Sequence, residues 1–327
     1  MLDNKFELGF FPTPLQNLKN LSEKFENYSI YIKRDDHTGL ASGGNKTRKL
    51  EYLIQQAIDE GCDTVITAGA QQSNHCRQTA AACSIAGLEC HLLLGGHKPD
   101  VFDGNLLLSS ILGATIHFTG DNRKGEDKEF LKAKLEREGR KCFVIPYGGS
   151  NLTGALGFVS AVKELKEQLE QQKLNIDYVF FASSSGGMQA GLTLGKELYG
   201  LNTELIPINI DKDETNGLSL EEVVYGIVKE GEEKLQVNTN IQLSDISLNR
   251  AYDKDGYGVV TEKERKAINE LARTEGILLD PVYTGRAFYG MLDVLRRKNI
   301  PKGANVLFWN TGGLPAVFKY AEELKSK

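Results

Sequence analysis

Asn45-Lys46-Thr47-Arg48-Lys49-Leu50-Glu51-Tyr52-Leu53-Ile54-Gln55-Gln56-Ala57-Ile58-Asp59-Glu60-Gly61, with Thr64-Val65-Ile66-Thr67-Ala68 close behind it, decides the fold class. Leu50, Leu53, Ile54, Ala57 and Ile58 fall on one helical face, and Gly61 stops the helix. Residues 64–68 read as a buried strand. An alanine-rich helix over 74–86, closed by Gly87, and a strand at Cys90-His91-Leu92-Leu93-Leu94 repeat the unit. Working outward, a helix over 106–112 leads to a strand at 114–118, and a charged helix over 126–138 to a strand at 142–145. A long helix over 153–171 then precedes a strand at 177–182, a helix over 188–199, a strand at 204–210 and a helix near 218–228. Alternation with short connections means βαβ crossovers, hence an α/β fold with parallel sheets covered on both faces. Residues 243–260 form a long loop without pattern, of the kind that often carries function.

The composition narrows the function classes. With 327 residues, 40% hydrophobic and 25% charged, the chain can build a large core and two domains. A net charge of −5 without a basic, aromatic-interleaved stripe argues against nucleic acid as a partner. The longest apolar runs, such as Val179-Phe180-Phe181-Ala182, are too short to cross a bilayer, so no membrane role is expected. The polar start, Met1-Leu2-Asp3-Asn4-Lys5, leads into no apolar segment, and the expected location is the cytoplasm. Five cysteines without a CxxC pair read as reduced, packed thiols, and five scattered histidines suggest no metal cage.

Four segments carry chemistry. Lys46 follows Gly43-Gly44-Asn45 and opens a helix, where converging N–H groups lower a lysine's pKa and let it condense with an aldehyde. Gln71-Gln72-Ser73-Asn74-His75 lies between a strand and a helix. It suits a substrate carboxylate, although a plain helix cap would also account for Ser73 or Asn74. Ser183-Ser184-Ser185-Gly186-Gly187-Met188-Gln189 is neither a Walker A loop nor a GxGxxG fingerprint, and small residues there suit a single phosphate. Asp280-Pro281-Val282-Tyr283-Thr284-Gly285 and Trp309-Asn310-Thr311-Gly312-Gly313-Leu314 end apolar stretches at the sheet edge where ligands gather. Two further features weigh less. Asp253-Lys254-Asp255-Gly256-Tyr257-Gly258 with Glu264 partly mimics a calcium loop, but Tyr257 occupies a ligand position. Cys76 lies one turn into the Ser73 helix with no evident partner.

Together these segments resemble the tryptophan-synthase-β-like group of pyridoxal-phosphate enzymes, fold type II. Within it they resemble the family of 1-aminocyclopropane-1-carboxylate deaminase and D-cysteine desulfhydrase. The residues carrying the resemblance are Pro12-Thr13-Pro14-Leu15, Lys33-Arg34-Asp35-Asp36, Gly43 to Leu50, Gln72 to His75, Ser185-Gly186-Gly187, Gly256-Tyr257-Gly258, Asp280 to Gly285 and Asn310 to Pro315, in family order over nearly the whole chain. The resemblance implies two parallel-sheet three-layer domains, the smaller spanning 50–158 and the larger 1–49 plus 159–327, with the cofactor between them. It also implies a homodimer and a small amino-acid substrate.

Residue roles follow from the same resemblance. Lys46 would hold pyridoxal 5'-phosphate and move the substrate α-proton. Asn74 would meet the cofactor's ring oxygen, and Ser185, Gly186, Gly187, Met188 and Gln189 would cradle its phosphate. Ser73, Asn74 and His75 would take the substrate carboxylate, with Ser73 close to the reacting carbon. Tyr283 would pack beside the ring as a catalytic residue, Tyr257 would close the substrate pocket, Thr284 would border it, and Thr311 would face the pyridine nitrogen.

Ser184 and Met188 depart from the family's phosphate loop, where a glycine and a threonine are expected. Thr284 stands where the deaminases carry a glutamate that keeps the pyridine nitrogen protonated, and His75 resembles the desulfhydrase branch. A carboxylate there makes a strong electron sink, which opening a cyclopropane needs. A threonine leaves a weaker sink, sufficient when a thiolate departs with the electrons. The expected reaction is α,β-elimination of D-cysteine or a close analogue to pyruvate, ammonia and hydrogen sulfide. The alternatives are cyclopropane-ring deamination to 2-oxobutyrate and a non-catalytic phosphate or metabolite binder on the same scaffold.

Overall fold

The computed structural model describes residues 2–211 and 217–325. The strands are β1 (Leu15–Asn17), β2 (Ser29–Arg34), β3 (Thr64–Ala70), β4 (Glu89–Gly95), β5 (Thr115–Phe118), β6 (Cys142–Val144), β7 (Tyr178–Ser183), β8 (Glu204–Asn209) and β9 (Asn305–Asn310). The helices are α1 (Lys19–Lys24), α2 (Lys46–Asp59), α3 (Asn74–Ala86), α4 (Gly104–Ile111), α5 (Lys128–Arg137), α6 (Leu152–Gln172), α7 (Gly187–Tyr199), α8 (Leu220–Leu235), α9 (Glu262–Glu275), α10 (Thr284–Arg296), α11 (Ala316–Lys319) and α12 (Ala321–Leu324). β3 to β6 form a four-stranded sheet in the order β5-β4-β3-β6, parallel throughout. The other strands form a five-stranded sheet in the order β1-β2-β9-β7-β8.

The five-stranded sheet is parallel except at its edge, where β1 runs antiparallel to β2. That exception to the expected all-parallel arrangement left no periodic trace, because β1 is three residues long and buries only Leu15. α1 and α9 were likewise outside the pattern read from the sequence. Successive residues of the central strands serve opposite faces, as the two-residue period requires. Phe180, Val306 and Phe308 pack with Leu271, Phe288 and Met291 of α9 and α10. Val179, Phe181, Leu307 and Trp309 pack with Phe158, Val162, Leu165 and Leu192 of α6 and α7. In the four-stranded sheet Val65, Leu92 and Leu94 meet Leu50, Leu53 and Ile54 of α2 and Ala80 to Cys83 of α3, while Ile66, Ala68 and Leu93 meet Leu131 and Leu135 of α5. Both sheets are thus apolar on two sides, which explains their near-continuous hydrophobic runs.

The chain leaves the carboxyl ends of β2, β3, β7 and β9 toward one region. Those exits carry Lys46, Ser73, Ser185 and Thr311 respectively, and they place the site where an open α/β sheet binds its ligand.

Candidate active site

One cleft gathers Lys46, Lys49, Ser73, Asn74, His75, Tyr147, the stretch Ala182 to Gly186, Met188, Tyr283 and Thr311. The turn that delivers Lys46 depends on glycine. Gly44 has φ +128°, and a Cβ on it would lie 2.6 Å from Gln78 Nε2. Gln78 of α3 also caps α2, its Oε1 accepting from Thr47 N (2.8 Å) and Thr47 Oγ1 (2.9 Å). Lys46 Nζ donates to Asn45 Oδ1 (3.1 Å). Its pKa falls from 10.5 to about 8, through burial first and then the cation of Arg77, against an opposing pull from Asp280. The sequence reading credited the helix end; withdrawal from water is the larger cause.

The start of α3 forms the opposite wall. Ser73 takes extended φ/ψ of −68° and 118° and accepts from Cys76 N (3.2 Å), so it is a true helix cap facing the cleft. Asn74 Oδ1 accepts from Arg77 Nη1 (3.1 Å) and Asn105 Nδ2 (2.8 Å), which turns Asn74 Nδ2 away from them. Thr67 Oγ1 gives its proton to Ile145 O (3.0 Å) and so accepts from His75 Nε2 (2.9 Å). His75 Nδ1 is then a bare acceptor without a partner among the described residues. Burial, with Lys46 and Lys49 nearby, holds the His75 pKa well below its usual value, so the ring is neutral. Cys76 is buried beside this wall, and burial raises its thiol to about 12, consistent with packing rather than reactivity.

The third wall is the β7–α7 turn. Gly186 has φ +83°, and a Cβ on Gly187 would lie 2.7 Å from Lys49 Nζ. Gly187 N donates to Ser150 Oγ (3.2 Å), and Ser150 Oγ donates to Ser185 Oγ (2.8 Å). The first N–H groups of α7 have no intrahelical acceptor, as at any helix start. Met188 reaches Asn45, whose Nδ2 lies 3.5 Å from its sulfur. Gln189 does not line the cleft. Its side chain bonds Ser183 Oγ (2.8 Å) and Ser247 O (2.8 Å), so it ties the turn to the 243–260 loop.

Lys49 was missed in the sequence. Its side chain is 1% exposed and donates to Gly148 O (3.0 Å) and Ser150 Oγ (3.1 Å). Among the described residues no carboxylate pairs with it. Burial and then Lys46 depress its pKa well below 10.5. The available signal was spacing, because Lys49 lies three residues after Lys46 and beside Leu50 and Leu53 on the buried face. A buried cation without a counter-ion, beside a glycine turn and a free helix start, fits a phosphate group.

The last wall separates Tyr283 from Thr284. Tyr283 lines the cleft, and its hydroxyl lies 2.6 Å from that of Tyr257, with the rings edge to face. Burial pushes both phenols well above their usual pKa. Thr284, expected at the pocket, is fully buried outside the lining. Its hydroxyl donates to Asp280 Oδ1 (2.7 Å), and Asp280 also accepts from Val282, Tyr283 and Thr284 N–H groups to cap α10. Thr311 does line the cleft, and its hydroxyl has no partner among the described residues. Among the described residues no Asp or Glu belongs to the lining. The calcium-like segment spends its carboxylates elsewhere: Glu264 pairs with Arg286 (3.1 Å), and Asp253 accepts from Asn209 (2.7 Å).

A lysine whose pKa burial lowers to about 8, facing an anion cradle at the carboxyl edges of two largely parallel sheets, defines an enzyme that holds a phosphorylated aldehyde. The chain belongs to the family of pyridoxal-phosphate dependent enzymes, whose pattern matches residues 6–312, and pyridoxal phosphate is its cofactor. It is 40% identical over 326 residues to the D-cysteine desulfhydrase of Klebsiella pneumoniae (strain 342), covering 98% of this chain and 97% of the relative. It is also 40% identical over 315 residues to a Pyrococcus abyssi (strain GE5 / Orsay) protein with the provisional name 1-aminocyclopropane-1-carboxylate deaminase, covering 95% and 92%. A crystal structure described as an ACC deaminase homologue superposes with a TM-score of 0.89 at 37% identity, covering 98% of this chain and 95% of that one. Among the described residues no helix is long and apolar enough to cross a membrane.

Proposed function

We propose that the chain catalyses α,β-elimination of D-cysteine, or a close β-substituted amino acid, giving pyruvate, ammonia and hydrogen sulfide with uptake of one water. The carrying observation is that the cleft offers the cofactor a lysine of lowered pKa and the Thr311 hydroxyl, but no carboxylate among the described lining residues. Pyridoxal phosphate supplies an aldehyde for attachment and a ring that withdraws electrons from the substrate α-carbon. Lys46 would hold the cofactor's aldehyde end, and its Nζ would be the group that takes the substrate α-proton. Lys49, the α7 start and Ser185 would hold the phosphate, and Asn74 Nδ2 would be the donor for the ring oxygen. Ser73, the first N–H groups of α3 and His75 receive the substrate carboxylate. Tyr283 and Tyr257 form a hydroxyl pair able to pass a proton toward the departing sulfur. Thr311 would offer the pyridine nitrogen a neutral partner, which would limit the electron sink to reactions with a good leaving group.

The cofactor lies between a unit of residues 50–158 and a unit of 1–49 plus 159–327. The working form is a homodimer in the cytoplasm. All five cysteines are free and buried, as suits a reducing compartment. Leu107 and Ile111 of α4 and Leu314 and Phe318 at α11 are exposed apolar residues on neighbouring elements, bridged by Lys319 and Asp103 (3.3 Å), and a second copy packs there. Sedimentation showing only monomer at micromolar concentration would remove the dimer. The reaction is tested by keto-acid release from D-cysteine, L-cysteine, β-chloro-D-alanine and 1-aminocyclopropane-1-carboxylate. Pyruvate and sulfide from D-cysteine are expected. Production of 2-oxobutyrate from the cyclopropane acid, with D-cysteine inert, transfers the chain to ring deamination.

A further inference from the structure

Arg77 of α3 is fully buried, one turn on from Asn74 of the cleft wall. Nη1 donates to Asn74 Oδ1 (3.1 Å) and Asn105 Oδ1 (2.5 Å), and Nη2 donates to Gly43 O (2.6 Å). Nε has no partner, and among the described residues no carboxylate pairs with this guanidinium. Burying an arginine without a direct ion pair is costly, and only the charge of Asp280, which also acts on Lys46, offsets that cost.

The network around Arg77 has one consequence for orientation. Asn105 Nδ2 donates to both Asn74 Oδ1 (2.8 Å) and Gln72 O (2.8 Å), while Asn105 N donates to Gln72 Oε1 (2.9 Å). Two donors therefore meet at Asn74 Oδ1, and the carboxamide has one orientation, with Nδ2 toward the cleft near Gly313. The Gly43 carbonyl belongs to the turn that ends in Lys46, so the same guanidinium grips both walls.

We propose that Arg77 is a positioning residue: its unpaired guanidinium locks the Asn74 amide and the Lys46-bearing turn into one unit and faces the Lys46 amine with a positive charge. The inference rests on the reading of Lys46 and Asn74 as cofactor contacts. Four groups act on or are felt by the Lys46 charge: Asp280 before α10, Arg77 and His75 of α3, and Lys49 of α2 itself. Asp280 pulls the amine toward the charged form, and Arg77 opposes it. Removing Arg77 leaves Asp280 to prevail, so Lys46 stays protonated to higher pH.

The test follows the pH dependence of the rate at which the full-length protein, stripped of cofactor, recaptures pyridoxal phosphate. Wild type should show a midpoint near the Lys46 value of about 8. Arg77→Met should move that midpoint up by about one pH unit. Asn105→Asp should also move it up, because the new carboxylate pairs with Arg77 and loses the donor to Asn74. A folded Arg77→Met protein with the wild-type midpoint overturns the proposal. If Arg77→Met does not fold, the nearly isosteric Asn105→Asp decides alone, and an unchanged midpoint overturns it. The readout involves no amino-acid turnover, so a wrong substrate leaves it intact, whereas a wild type that never captures cofactor defeats the lysine reading instead.

Discussion

Two groups of buried cations lie on either side of α2, and they are treated in opposite ways. Behind the helix, Arg48 and Lys33 are matched by carboxylates: Arg48 contacts Asp35 (2.8 Å) and Glu164 (2.9 Å), and Lys33 pairs with Glu164. Burial alone would raise the Glu164 carboxyl, yet Arg48 and Lys33 hold it at about 2, and the same two acids keep Arg48 firmly protonated despite its burial. Trp309 Nε1 and Thr13 Oγ1 use remaining lone pairs on Asp35 (2.8 and 2.9 Å). In front of the helix, the half-buried Lys46 and the buried Lys49 and Arg77 form no ion pair among the described residues, and burial lowers all three. The scaffold completes its own electrostatics, whereas the cleft leaves positive charge for a ligand to complete.

The sharpest break in that comparison is at Lys46. Lys46→Ala should lower turnover by about a thousandfold, the scale of losing an acid/base group. Borohydride reduction of wild type should fix the cofactor's mass on the peptide containing Lys46, and the variant should show no adduct. Turnover surviving intact in Lys46→Ala would remove the lysine from the chemistry.

The next contrast is between neighbours one residue apart. Arg48→Met leaves Asp35 buried without its cation and Glu164 with Lys33 alone, and should destabilise the fold by about 3–5 kcal/mol in urea unfolding. Lys49→Met removes a cation that has no acid. It should leave the cofactor-free protein as stable as wild type or more so, while weakening cofactor affinity by about 10- to 100-fold. The pH dependence has the matching sign. Lys46 has a folded value of about 8 against 10.5 unfolded, so the folded state binds fewer protons between those limits. The stability of the cofactor-free protein should therefore rise with pH across that window, by at most about 1.4 kcal/mol per unit from this group. Lys46→Met should flatten that rise. Loss of stability for Lys49→Met as large as for Arg48→Met would erase the distinction between the two sides of the helix.

The same contrast shows what could be read beforehand. Gly43-Gly44 and Lys46 were legible because a glycine turn before an amphipathic helix has few uses, and α3 runs from Asn74 to Ala86 as its alanines and Gly87 indicate. Strand ends on one sheet edge then follow from parallel topology. Contacts set by tertiary pairing were not legible. Thr284 follows Tyr283 in sequence, but the Asp280 cap rotates its hydroxyl into the protein, leaving Thr311 as the hydroxyl on the cleft. Gln189 lies within the phosphate-loop stretch, yet its side chain is drawn to the 243–260 loop. Lys49 and Arg77 looked like ordinary helix cations, because only three-dimensional burial reveals that no acid accompanies them.

The smallest effect tests whether Lys49 compensates for the missing hydroxyl at Met188. Met188→Thr should add one neutral hydrogen bond to the phosphate and lose the Asn45 contact with sulfur, for a net change of only a few-fold in cofactor affinity. The informative quantity is its coupling to Lys49. Groups that bind one phosphate share a partner, so their effects should depart from additivity by about 0.5 kcal/mol or more in a double-mutant cycle. Measured by cofactor titration of wild type, Met188→Thr, Lys49→Met and the double variant, that coupling places both residues on one anion. Strict additivity would separate them, and Lys49 would then be an unpaired cation whose charge answers to some other group in the cleft.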